Sequence, residues 1–366
     1  MIHIQPNRHI NVFFGDNGSG KTTLLKVLDA AMSFDSNAMN RLPVERAEVS
    51  IYSINAGKVF THIWDRNLDG ESDESQMDQF ELEMFDAAIH MRASDKPINK
   101  WRSNRNVGQT NRWRHMFLPT TRLYLDDFNR TQLQGRALSE REIDEQFSKS
   151  INQNWLKYYS QVITEIRTIQ EQGLTSVLAF ALAENINDTT GPTLDPNVAY
   201  DRAARFLSRQ TNSEAILGNR KSFVRRYKNE EKLRRLVDNL NSTEEKIELC
   251  MAPIDLFLET VSEFLSNGKK VSLQKGDLSI ELEDGKLLTP SSLSSGEKHL
   301  LKLLLSSMQA EESTIIVDEP ELSLHIDWQR KLLPTMSILN QNCQMIVASH
   351  SPEIMAKIPD ENIFRI

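Results

Sequence analysis

Eight residues near the start, Gly15-Asp16-Asn17-Gly18-Ser19-Gly20-Lys21-Thr22, constrain this chain more than any other feature. They follow an apolar, β-forming run from His9 to Phe14. They precede Thr22 to Ala31, where Leu24, Leu25, Val27 and Leu28 recur at helical spacing. Strand, glycine-rich loop and helix in that order fit G-x-x-x-x-G-K-[ST], and the flanking elements separate the motif from a chance glycine-rich turn. Glycines let backbone N–H groups turn inward around phosphate oxygens, and a helix N-terminus adds a favourable dipole. Lys21 is then placed to reach the β and γ phosphates of a nucleotide and Thr22 to ligate Mg²⁺, with Asn17, Gly18, Ser19, Gly20 and Thr23 lining the cradle.

Carboxylates follow in the second half. Thr314 to Val317 is an apolar strand ending in Asp318 and Glu319, so both acids emerge at the C-terminal edge of a parallel sheet, where such sheets bind ligands. There Asp318 would hold Mg²⁺ through water and Glu319 would polarise an attacking water as general base. A second apolar strand, Gln344 to Ala348, runs into Ser349-His350-Ser351-Pro352 and lands His350 on the same edge, within reach of a γ-phosphate. Leu293-Ser294-Ser295-Gly296-Glu297 precedes a helix starting near Lys298. That turn either offers hydroxyls and N–H groups to an anion or is a plain N-cap.

Short apolar strands alternating with helices predict an α/β fold with a parallel sheet covered on both faces. Val49 to Ile54 and Lys58 to Trp64, joined by Asn55-Ala56-Gly57, predict an antiparallel hairpin, extended by Phe80 to Phe85. From Ser139 to Ser266 the pattern is helical. Ser139 to Glu142 forms a capping box, Trp155 to Leu182 is periodic, Thr189 to Pro196 is a break, and the stretch 219–236 is basic. Beyond Asn267-Gly268, strands return at Val271 to Gln274 and Leu278 to Leu282. The expected organisation is a head made of residues 1–138 and 267–366, interrupted by a helical subdomain at 139–266.

Composition narrows the setting. Of 366 residues, 39% are hydrophobic and 26% charged, as in a globular chain, and no run approaches the roughly 18–20 apolar residues of a membrane span. No signal pattern opens the sequence. Two cysteines, Cys250 and Cys343, are too few for a disulfide framework or a Cys-rich zinc site, so a cytoplasmic protein with buried thiols is expected. A net charge of −8 argues against a uniformly basic nucleic-acid binder. It leaves two local basic surfaces: Lys100, Arg102, Arg105, Arg112 and Arg114 interleaved with Trp101 and Trp113, and the run Arg220 to Arg235. Each suits phosphate backbone or an acidic protein, or is a solvated face. The acidic stretch Asp69 to Asp78 reads as a solvated turn.

The ordered set of the glycine-rich loop, Leu-Ser-Ser-Gly-Glu, Asp-Glu-Pro-Glu-Leu-Ser-Leu-His and Ser-His-Ser-Pro resembles the ABC-class ATPase heads of the SMC, RecF and OLD-nuclease group. Within that group it resembles the ABC-type ATPases of bacterial anti-phage systems. The likeness covers residues 9–30 and 270–366, with Met116 to Leu125 also similar. It implies an ABC-type P-loop head with a mostly parallel sheet, an antiparallel β subdomain and an inserted helical subdomain, using ATP and Mg²⁺. Lys21 and Thr22 match the Walker A motif, Asp318 and Glu319 the Walker B pair, and His350 the switch histidine. Ser294, Ser295 and Gly296 match the signature turn, which in such heads contacts ATP on the other subunit, and Leu322 to His325 the interface D-loop.

A homodimer or higher oligomer through the heads is therefore implied, together with a separate effector protein, a nuclease or toxin, and nucleic acid as a further partner. The competing readings are a DNA repair or recombination ATPase and, further off, the nucleotide-binding subunit of a transporter. Over a hundred helical residues ahead of the signature turn, and Glu297 after its glycine, argue against the transporter. Two departures stand out. Only fourteen residues precede Gly15, so the strand pair upstream is shortened or truncated and the adenine contact is unassigned. The Mg²⁺-sensing glutamine stays open among Gln109, Gln132 and Gln134.

Overall fold

Apolar strands without a polar face can only lie inside a sheet covered on both sides, and that dictates the centre of the fold. The computed structural model describes residues 3–54, 56–66, 101–103, 113–119, 139–182, 195–208, 217–265 and 268–366. Outside them lie the acidic stretch 69–78, the strand expected at 80–85, Gln109, Gln132 and Gln134, most of the basic aromatic segment, and most of the break at 189–196. The chain forms two compact units, Met1–Leu123 with Ala310–Ile366, and Tyr124–Gln309.

The first unit is built on β1 (Ile10–Phe14), β5 (His115–Leu118), β9 (Thr314–Asp318), β10 (Gln344–Ser349) and β11 (Ile363–Arg365). Their order is β11-β1-β10-β9-β5, and every neighbouring pair is parallel. Ile315, Ile316, Val317, Met345, Val347 and Ala348 are all buried, as continuous apolar strands require. Helix α1 (Lys21–Ser33) follows β1, with Leu25 packed among Phe13, Ile316 and Ile346. A short α2 (Ser36–Asn40), capped by Asp35, leads to the antiparallel hairpin β2 (Arg46–Ser53) and β3 (Lys58–Asp65), joined at its edge by β4 (Arg102–Ser103). Trp64 and Trp101 close that hairpin against Val27, Ala30 and Ala31 of α1. α8 (Ile326–Leu339) and α9 (Pro352–Met355) complete this unit; the numbers between belong to the second.

The second unit holds α3 (Glu140–Leu182), α4 (Pro196–Ser208), α5 (Arg220–Asn229) and α6 (Glu231–Phe264). Three antiparallel strands follow, β6 (Lys270–Gln274), β7 (Asp277–Glu281) and β8 (Leu287–Leu288), and then α7 (Ser295–Gln309). The expected capping box forms, Glu142 N–H donating to Ser139 Oγ at 3.3 Å and Ser139 N–H to Glu142 Oε2 at 2.9 Å. Trp155 is the pin of this unit. It stacks on Phe257 at 5.7 Å between centroids and donates through Nε1 to the carbonyl of Gly276 at 2.9 Å, tying α3 to α6 and to the β6–β7 turn. α3 and α6 approach closely at Gly173, where an added Cβ would fall 2.6 Å from Thr243 Oγ1.

Residues 268–309, grouped with the head by the sequence reading, thus lie in the same compact unit as the helices. The reason is packing: β6 and α7 lie along α6, and β7 along α3. Among the described residues no helix is long and apolar enough to cross a membrane. Cys343 is buried, and burial pushes its thiol up to about 11; Cys250 is only half-buried, against the expectation of two buried thiols.

One partly buried ion pair in the first unit makes its stability depend on pH. His115 Nε2 lies 2.8 Å from Asp29 Oδ1 and Nδ1 lies 2.8 Å from the carbonyl of Trp113, so both ring nitrogens face acceptors. Burial disfavours the imidazolium, but the bonds to Asp29 and Trp113 and the charge of Asp29 outweigh it and raise the pKa above 6.5. A raised folded-state pKa stabilises fully below the unfolded value near 6.5 and is lost as pH climbs through the folded one. The contribution of this pair to the melting temperature should therefore be lost as pH rises above about 6.5. Asp29→Asn should flatten that decline in thermal melts; an unchanged slope in the variant would remove His115 as its source.

Candidate functional site

The loop after β1 has its shape imposed by contact. Gly15 has no room for a side chain, since a Cβ there would lie 2.5 Å from the carbonyl oxygen of Ile366 and 2.9 Å from Ser19 Oγ. Gly18 and Gly20 take φ of 86° and 100°, a backbone conformation that costs glycine nothing. The loop then enters α1 at Lys21, leaving the first N–H groups of the helix directed out of its N-terminus.

Lys21 is 4% exposed, and its Nζ donates to the carbonyls of Gly15 and Asp16, each at 2.8 Å. Two of three ammonium protons are used, which holds the charge under the loop and leaves one donor for a ligand. Ser19 Oγ is buried without a hydrogen-bond partner among the described residues. Thr22 Oγ1 donates to Asp318, 2.9 Å from Oδ2 and 3.1 Å from Oδ1, although the two lie 296 positions apart. The parallel register explains the meeting: Phe14 pairs with Ser349, and Ala348 with Asp318, so the segments after β1, β10 and β9 leave one edge together.

Glu319 follows with its N–H donated to Ala348 at 2.8 Å and φ of 50°, uncommon for a residue with a Cβ. His350 leaves β10 beside it, with Nδ1 3.8 Å from Glu319 Oε1 and 3.0 Å from Glu321 Oε1. Glu321 is a residue the sequence reading passed over. Its side chain is 4% exposed, and Oε1 accepts from Ser349 Oγ at 2.7 Å, His350 N–H at 2.9 Å and Ser351 N–H at 3.2 Å. The available signal was the third acid of Asp318-Glu319-Pro320-Glu321, placed between a core strand and a core helix where a carboxylate needs donors.

Ser294, Ser295 and Gly296 lie in the second unit. Ser294 N–H donates to Glu297 Oε2 at 2.8 Å, and Glu297 N–H faces Ser294 Oγ at 3.4 Å, so the turn is a capping box opening α7. Burial opposes the charge on Glu297, but bonds from Ser294 and from Lys269 Nζ at 3.0 Å hold its carboxyl below the usual carboxylate range. Lys298 pairs with Asp144, and burial followed by the charge of Lys302 pushes His299 down to about 4. Ser294 and Ser295 stay exposed at the helix N-terminus.

The basic surfaces look different once folded. Trp101 is 4% exposed and packs on Trp64, and Trp113 packs against Phe60, so neither is a platform for stacking bases. In the run 220–235, Arg220 pairs with Asp201 and lies 4.9 Å over the ring of Tyr200. Arg226 pairs with Glu230, Arg235 with Glu231, and Arg234 donates to the carbonyls of Tyr227 and Lys228. Arg220 and Arg234 thus fasten neighbouring helices around buried Phe223 and Tyr227. Lys221, Arg225, Lys228 and Lys232 are exposed cations of that run, as are the paired Arg220 and Arg226.

N–H groups at a helix N-terminus, a buried unpartnered serine hydroxyl, a sequestered ammonium and a hydroxyl against a carboxylate fit a nucleotide triphosphate with a hard divalent cation. Residues 10–356 match the family described as "AAA domain, putative AbiEii toxin, Type IV TA system". The chain belongs to this family. Its glycine-rich loop sits on an α/β unit whose five-stranded sheet is parallel.

Over 166 residues the chain is 26% identical to "Retron Ec83 probable ATPase" of Escherichia coli, which takes in 39% of this chain and 31% of that protein. It is 22% identical to "Retron Vc95 probable ATPase" of Vibrio cholerae serotype O1 biovar El Tor over 97% of this chain and 68% of the relative. The chain thus spans about a third of one relative's length and about two thirds of the other's. The SMC head domain from Thermotoga maritima aligns over 96% of this chain and 84% of that chain at 11% identity, with a TM-score of 0.37.

For an AAA-domain protein with this loop, Gly15→Ala is the sharpest local test. The new methyl meets a backbone oxygen that has no rotamer to change, so it should destabilise by about 1–3 kcal/mol, as overpacking does. Thermal melts should show the loss together with weaker nucleotide binding. A variant that melted and bound as wild type would show that the loop relaxes around the methyl.

Proposed function

We propose that this chain binds ATP with Mg²⁺ at the edge formed by the Gly15–Thr22 loop, Asp318, Glu319 and His350, and hydrolyses it. The observation that carries the reading is the Thr22–Asp318 contact, which pairs a hydroxyl and a carboxylate suited to one cation beside a buried lysine. Mg²⁺ held there would offset phosphate charge and draw electron density from the γ-phosphoryl group. Loop N–H groups, Ser19 Oγ and Lys21 Nζ orient the β and γ phosphates. Glu319, 24% exposed and set by its left-handed backbone at the strand end, accepts a proton from the attacking water. His350 meets the γ-phosphate from the adjoining strand end.

The same reading extends to assembly. Ser294, Ser295 and Gly296, exposed or backbone-only at the start of a fifteen-residue helix, suit the phosphate of ATP held by a second copy. ATP shared between two copies would draw them together, and hydrolysis would release them. Coupled through the second unit, that cycle would govern a separate effector protein, a nuclease or toxin. Exposed Lys221, Arg225, Lys228 and Lys232 are the cations suited to nucleic acid. The two retron ATPases among the relatives support a place in bacterial anti-phage defence.

Lys21→Ala should raise the Kd for ATP about 10- to 100-fold, because a hydrogen bond to a charged group is worth roughly 1.5–3 kcal/mol. Glu319→Gln should bind ATP nearly as wild type yet hydrolyse it about 10²- to 10⁴-fold more slowly. Light scattering of Glu319→Gln should show its mass doubling on addition of ATP. Wild-type turnover by Glu319→Gln would refute the role given to that residue, and an unchanged mass would refute the two-copy site.

A further inference from the structure

We propose that Glu321 is the positioning residue for His350: it fixes the ring's tautomer and holds the Ser349–Ser351 turn so that Nε2 meets the phosphate or its water. The kinetic part of this proposal rests on the ATPase reading above.

One oxygen gathers the whole turn. Glu321 Oε1 accepts from Ser349 Oγ and from the N–H groups of His350 and Ser351, and it lies 3.0 Å from His350 Nδ1. A carboxylate oxygen that already accepts from two backbone N–H groups and lies 3.0 Å from Nδ1, as a close charge pair rather than an aligned hydrogen bond, favours the proton on that nitrogen. The neutral ring is then Nδ1–H, and Nε2 is the nitrogen left to the site, as in histidines oriented by a carboxylate behind them. The ring is 41% exposed, which admits a ligand to that nitrogen. Glu319 Oε1, at 3.8 Å from Nδ1, is beyond hydrogen-bond reach and does not compete for it.

The hold extends on both sides. Ser351 Oγ donates to Gln329 Oε1 at 2.7 Å and accepts from Glu353 N–H at 3.2 Å, while Gln329 Nε2 donates to the carbonyl of Leu324 at 3.0 Å. The segment carrying Glu321 and the turn carrying His350 are thus laced into one body next to the paired ends of β9 and β10. A residue kept for packing alone would be apolar here. Glu321 instead buries a carboxyl whose Oε2 has no hydrogen-bond partner among the described residues, a cost that its work on the His350 turn accounts for.

The test uses the full chain with ¹⁵N-labelled histidine, His350→Gln assigning the signal, and long-range ¹H–¹⁵N spectra reading the tautomer. Wild type should show His350 as Nδ1–H, and Glu321→Ala should move it toward Nε2–H. In ATP hydrolysis Glu321→Ala should lower kcat about 10- to 100-fold with little change in KM, as loss of an orienting partner does. Glu321→Gln, which keeps an acceptor oxygen, should restore part of both signals, and in a His350→Gln background Glu321→Ala should add almost nothing. An Nε2–H tautomer in wild type, an unchanged tautomer in Glu321→Ala, or losses that multiply in the double variant would overturn the proposal. Should Glu321→Ala fail to fold, the wild-type and Glu321→Gln tautomers decide. Absence of wild-type hydrolysis would sink the ATPase reading, whereas the tautomer reports on Glu321 without turnover.

Discussion

Everything at the candidate site depends on the parallel register of β1, β10 and β9. Strands this uniformly apolar do not choose a register by alternation, because a slip of one residue exchanges one buried face for another. The structure supplies a polar pin. Asn11, fully buried on β1, donates through Nδ2 toward the carbonyl of Met345 on β10 and to the carbonyls of Asn7 and His9, while its Oδ1 accepts from Asn7 N–H. Met345 N–H in turn donates to His9 at 2.9 Å. A slipped pairing would leave these buried groups unsatisfied, which is costly in an apolar layer.

From that register the site assembles with few further choices. Three strand ends meet at one edge, and each is followed by a segment whose backbone is tightly determined: the loop at Gly15 by lack of space, the turn at Glu319 by a left-handed φ, the turn at His350 by a buried carboxylate. Lys21, Asp318, Glu321 and Ser349 are all buried there. A concentration of desolvated polar groups and a strained backbone in one place is expensive for folding, and it is where function is ordinarily found.

Much of this was legible in the sequence, and the reasons divide cleanly. Periodicity and loop chemistry located β1, α1, the β2–β3 hairpin and the apolar strands β9 and β10, since each signal is local. Glu321 was legible only as one more acid after a core strand, because its role lies in donors supplied by residues 28 to 30 positions away. The pairing of Arg220 was hidden for the same reason: its partner Asp201 comes from a different helix. Trp101 and Trp113 looked like a stacking surface until the hairpin closed over them. The division of the chain also escaped local reading, because residues 268–309 are placed by their packing on α3 and α6.

The central claim is that Thr22 and Asp318 face each other as the cation side of a nucleotide site. Electron paramagnetic resonance of Mn²⁺ added with ATP tests it most directly. The account predicts that Mn²⁺ binds tightly only when ATP is present, that it shows coupling to the phosphorus of the β and γ phosphates, and that Thr22→Val and Asp318→Asn each weaken its binding. Mn²⁺ bound equally well without ATP, or with undiminished affinity in both variants, would contradict it.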